Sequence, residues 1–118
     1  MKIKLVQGDT SKVYKFQRTY EDGTPIKTLP KKMWLTVKEN CYTDDCVLQK
    51  TLENGGIKFN EDDKYYRFRF ESDETCDLPY GTYGFDIAIL NENDEKITLY
   101  ENGELKISEH FTKKVNEV

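Results

Sequence analysis

The stretch Leu78-Pro79-Tyr80-Gly81-Thr82-Tyr83-Gly84-Phe85-Asp86-Ile87-Ala88-Ile89-Leu90 restricts the fold more than any other part of the chain. Tyr83, Phe85, Ile87 and Ile89 fall at every second position, the period of a strand with one buried face. The lead-in is a turn, because Pro79 fixes φ and Gly81 permits a positive value. Asp86 is the one charge in the middle of this strand, and the alternation places it on the solvent face, within reach of Lys38 or Lys106 if their strands are neighbours.

A tight turn, then Gly-x-Tyr, then a long alternating strand is the pattern of the corner before a central strand of immunoglobulin-like sandwiches. There a tyrosine hydroxyl bonds back to the backbone just upstream. Tyr83 is the candidate for that structural corner. The other segments repeat the strand period. Ile3 and Leu5 share a face, as do Tyr14 and Phe16, then Met33, Leu35 and Val37, then Tyr66, Phe68 and Phe70, then Ile97 and Leu99, then Leu105 and Ile107. Turn clusters separate them: Glu21-Asp22-Gly23-Thr24-Pro25, Asn54-Gly55-Gly56 and Asn91 to Glu95. Asn102-Gly103 reads as a bulge inside one long strand from Lys96 to Glu109. Ser72-Asp73-Glu74-Thr75 reads as a single helical turn capped by Ser72 or Asp73. No segment has a convincing helical period. The fold expected is all-β: an antiparallel, immunoglobulin-like β-sandwich of about eight or nine strands, one domain over residues 1–112 with a C-terminal tail at 113–118.

Charge narrows the partners. The net charge is −4 with both signs interspersed, so the basic stripe of a nucleic-acid binder is missing and no nucleic acid is expected. The first residues lack the apolar core of a signal peptide and no apolar run approaches membrane-spanning length, so synthesis in the cytoplasm and no membrane partner are expected. Three cysteines, Cys41, Cys46 and Cys76, are an odd set with irregular spacing, which makes a poor disulfide framework. Cys41 and Cys46 share one polar loop and either bridge each other or stay reduced. A zinc site would need a fourth ligand, and the only histidine, His110, lies far along the chain. No metal and no cofactor are expected.

Catalytic groups are equally sparse. A serine or cysteine nucleophile needs a base, and His110 reads as a strand-end residue. Phosphate-loop spacing is absent. Paired carboxylates sit in turns; Asn91-Glu92-Asn93-Asp94-Glu95 begins like a calcium loop but has Lys96 where that loop needs glycine. The chain is therefore expected to have no enzymatic activity. Outward aromatics offer another kind of function: Tyr65, Tyr80 and Tyr100, and Trp34 unless it is the buried tryptophan that immunoglobulin-type sandwiches often place on their third strand, are candidates for stacking on sugars or anchoring a protein partner, against the plainer reading that each covers an edge of the core.

The order of these motifs resembles the N-terminal immunoglobulin-like domain of siphophage upper baseplate proteins. The residues that carry the resemblance are Gln7-Gly8-Asp9-Thr10, Asp22-Gly23-Thr24-Pro25-Ile26, Met33-Trp34-Leu35-Thr36-Val37-Lys38 and Gln49-Lys50-Thr51 before Gly55-Gly56-Ile57. The densest match is Ser72-Asp73-Glu74-Thr75, then Leu78, then Tyr80 to Ile87; Thr98-Leu99-Tyr100, Gly103 to Ile107 and Thr112 close it. The Cys41 to Asp45 insertion departs from the pattern, and upper baseplate proteins continue into a further region. The resemblance implies a non-catalytic phage or prophage virion structural protein, a tail or baseplate component. It would be made in the host cytoplasm, be associated with the virion, and contact other tail or baseplate proteins and copies of itself. The alternative is a carbohydrate-binding or adhesin-type β-sandwich module.

Overall fold

The structure, a computed structural model, describes residues 1–39 and 46–109. It contains eight strands and one helical turn: β1 (Lys2–Val6), β2 (Tyr14–Gln17), β3 (Lys32–Lys38), β4 (Leu48–Thr51), β5 (Ile57–Phe59), β6 (Tyr65–Phe68), α1 (Ser72–Thr75), β7 (Gly81–Leu90) and β8 (Lys96–Ser108). They form a five-stranded sheet in the order β1-β8-β7-β3-β4 and a three-stranded sheet in the order β2-β6-β5. β3-β7-β8 and β2-β6-β5 have the neighbour relations of the C-F-G and B-E-D strands of an immunoglobulin-like sandwich. The fold is an all-β sandwich.

One pairing corrects the all-antiparallel expectation: β1 runs parallel to β8, Ile3 opposite Leu105 and Leu5 opposite Ile107. A hairpin forces antiparallel pairing, but no hairpin joins these two strands. After Val6 the chain turns at Gly8 (φ 87°) and crosses to the second sheet. The crossing is fastened to α1. Gln7 Nε2 donates to the Leu78 carbonyl at 2.8 Å, Thr75 Oγ1 donates to the Asp9 carbonyl at 3.1 Å, and Ser72 Oγ donates to the Gly8 carbonyl at 2.6 Å. Because Ser72 is committed there, it does not cap the helical turn. Glu71 is the N-cap, and its backbone N–H is held by Glu74 Oε1 at 2.7 Å in a capping box.

The inner faces interlock as the alternation requires. Met33, Leu35 and Val37 on β3 and Phe85, Ile87 and Ile89 on β7 are buried, and so are Ile57, Tyr66, Phe68, Phe70, Leu105 and Ile107. Tyr14 stacks on Phe68 and Phe16 on Tyr66, with ring centroids 5.6 and 5.3 Å apart. β8 is one long strand, and its register against β7 slips between Phe85 and Ile87 and again between Ile87 and Ala88. Gly103 is required there: a Cβ on it would lie 2.5 Å from the Phe85 ring. Asn102 beside it takes a left-handed conformation (φ 60°). Before β7, the Tyr83 hydroxyl donates to the Pro79 carbonyl at 2.6 Å, four residues upstream, and closes the corner. Burial raises the Tyr83 phenol above its ordinary value, so it stays protonated as a donor.

Candidate interaction surfaces

The four candidate aromatics do not meet. Trp34 lies on the outer face of the five-stranded sheet, between Thr51 and Ala88. Tyr65 lies on the outer face of the three-stranded sheet, with Lys15 Nζ 4.8 Å from its ring centroid. Tyr80, 56% exposed, sits in the corner turn. Tyr100 corrects its outward placement. The double register slip turns its ring inward, where it stacks on Phe85 at 6.1 Å and packs against the core. No flat aromatic platform for a sugar ring is built from these four. Asp86 is exposed opposite Thr36 on β3 and makes no ion pair among the described residues. Cys41 and His110 lie outside the described residues; Cys46 and Cys76 are exposed.

Two surfaces emerge, each touched by one candidate residue, Tyr100 in the first and Tyr65 beside the second. The first is an apolar groove of about 380 Å3 at the open side of the sandwich, with Ile87, Ile89, Ile97, Leu99 and Tyr100 on one wall and Phe16 and Ile26 on the other. It arises because β7 and β8 outrun the shorter strands of the second sheet. Ile97, Leu99 and Met1 on its rim are 42%, 38% and 41% exposed, which leaves core-type residues in solvent. The register of β1 covers only Glu104 to Ser108 of β8. Among the described residues, Lys96 to Asn102 therefore has no strand on the edge that β1 continues, directly beside the groove.

The second surface is electrostatic. On the outer face of the three-stranded sheet Lys15, Arg67 and Lys58 stand directly opposite one another across β2, β6 and β5. At the usual strand spacing the row is about 10 Å long. Arg69 follows Arg67 on the same face. Arg67 is paired with Asp63, and Arg69 Nε donates to Glu71 Oε1 at 2.6 Å. Lys15 and Lys58 have no carboxylate partner among the described residues. The bond from Arg67, and then that from the Tyr65 N–H, holds the Asp63 carboxyl down at about 2. Like charges directly opposite on neighbouring strands cost stability, and Asp63 offsets part of that cost here, because its carboxylate pairs with Arg67 and is favoured by the charge of Lys15. In the sequence the positions lie 43 residues or more apart or are split by acids, and only the strand register brings them together.

A further cation is internal. Lys50 is turned inward from β4 and is 4% exposed; its ammonium meets both Glu74 oxygens at 2.6 and 2.8 Å and lies 5.5 Å from the Phe70 ring centroid. This pair fastens α1 to the end of the five-stranded sheet and is structural. Among the described residues no three His, Cys, Asp or Glu side chains converge as a metal site would require. No helix among them is long and apolar enough to cross a membrane.

No protein-family model matches the chain, and no curated protein matches it. Among solved structures, CopC from Methylosinus trichosporium OB3b aligns with 14% identity over 92% of this chain and 85% of that chain, at a TM-score of 0.48. A likeness of that size carries no argument about function.

Proposed function

We propose that this chain is a non-catalytic structural component of a phage or prophage virion, in the tail or baseplate, that works through protein–protein contacts. The observation that supports it most is the apolar groove bounded by the β8 edge from Lys96 to Asn102, which no strand among the described residues covers. Core-type side chains beside unpaired strand backbone are suited to receiving protein: main-chain bonds give affinity and the groove reads alternate side chains. The resemblance to the upper baseplate domain supplies the assembly in which such contacts are repeated by symmetry, which turns weak contacts into a stable particle.

The test is a concentration series in sedimentation velocity combined with a glycan array. Self-association that rises with concentration, with no glycan retained, is the expected result. A strict monomer at every concentration, with glycan binding that disappears in Trp34→Ala, would replace this reading with a carbohydrate-binding module.

A further inference from the structure

The cation row on the three-stranded sheet faces away from the other sheet, and it stands out against the net charge of −4. The five-stranded sheet carries its counterpart at one end, in the turn from Asn91 to Glu95 that joins β7 to β8. This turn is pre-formed. Asn91 Oδ1 accepts from the N–H groups of Asn93 and Glu95, both at 2.9 Å, and the Asn91 N–H donates to the Glu95 carbonyl at 3.0 Å. Asp94 adopts φ 61° and is tied to Lys31 Nζ at 2.7 Å. The loop backbone is therefore fixed; Glu95 Oε1 accepts from Asn91 Nδ2 at 3.3 Å, Glu92 borders a shallow cleft it shares with Arg18, and neither forms an ion pair among the described residues.

We propose that the Lys15–Arg67–Lys58 row receives the Glu92–Glu95 turn of a second copy of this chain. The inference rests on the assembly reading above and names its contact. The row lies on the outer face of the three-stranded sheet and the turn at one end of the other sheet, so the turn of one molecule does not cover the row of the same molecule. Two carboxylates on a short turn complement in charge a row about 10 Å long whose end lysines have no carboxylate partner among the described residues. The turn backbone is already fixed, so the ordering cost falls on the exposed lysine and glutamate side chains, and a single contact is weak until the assembly repeats it. The face of one copy meets a different surface of the next. Such a contact is head-to-tail, and it builds rings where the rotation closes and filaments where it does not.

Charge reversal tests this directly. One variant carries Lys15→Glu and Lys58→Glu; a second carries Glu92→Lys and Glu95→Lys. Lys15 and Lys58 are exposed, so the first variant is expected to keep its fold. Circular dichroism checks both. In sedimentation velocity at low salt, each variant alone is expected to associate at least tenfold more weakly than the wild type, and an equimolar mixture regains association because every reversed face meets a reversed turn. Raising the salt to about 0.5 M weakens the wild-type contact, as expected for exposed charges. Wild-type association that neither variant changes overturns the proposed contact while leaving the assembly reading in place. Retention of the wild type on phosphocellulose, lost in the first variant and without self-association, overturns it in favour of an anionic polymer.

Discussion

Single residues carry much of the fold's specification. The Tyr83 hydroxyl reaches back to Pro79, and Tyr83→Phe removes one hydrogen bond while leaving the ring in the core. The expected loss is about 1 kcal/mol in urea unfolding, with an unchanged far-ultraviolet spectrum. Tyr66 presents the opposite case. It is fully buried and its hydroxyl has no partner among the described residues. Tyr66→Phe is therefore expected to stabilise the protein by about 1 kcal/mol, the saving from not burying an unpaired polar group; a lower urea midpoint in the variant would contradict this. Asp63 offers a pH test. Its folded carboxyl lies at about 2, below the ordinary 3.8, so the stabilisation it gives is complete above about pH 4 and is lost as the pH falls through about 2. A carboxyl titration followed by NMR should show that midpoint in the wild type and a return toward 3.8 in Arg67→Gln.

At the scale of elements, the strand period was legible because each buried face uses large apolar residues. Met33-Leu35-Val37 and Tyr66-Phe68-Phe70 fell on the inner faces as their alternation required. The corner before β7 was readable for a related reason, since Pro79, Gly81 and Tyr83 leave few other conformations. Three things were not legible. Tyr100 turned inward because two register slips accumulate between β7 and β8, and a slip is a property of paired strands, invisible in either one alone. The parallel course of β1 depends on which edge of the sheet was left open. Lys50 was hidden because a lysine at an inward position of a short strand reads as an interruption until Glu74 arrives from α1 to meet it. That pair makes an element-scale prediction. Glu74→Ala strands a buried ammonium and should cost about 3 kcal/mol, whereas Lys50→Met combined with Glu74→Gln should recover most of the loss.

For the whole molecule, two sheets of unequal length leave two unlike surfaces in the open. One is an apolar groove beside a strand edge that no other strand among the described residues covers, and the other is a cation row; both follow from the register rather than from any short motif. Their separation on the body suits a protein that contacts several neighbours at once. The most direct measurement of the central claim is peptide mass spectrometry of phage particles purified, after prophage induction, from the organism that carries this gene. A place in the virion predicts peptides of this chain at a fixed ratio to the tail proteins through successive density gradients. Peptides that stay with the cell fraction and never enter the particles would contradict it.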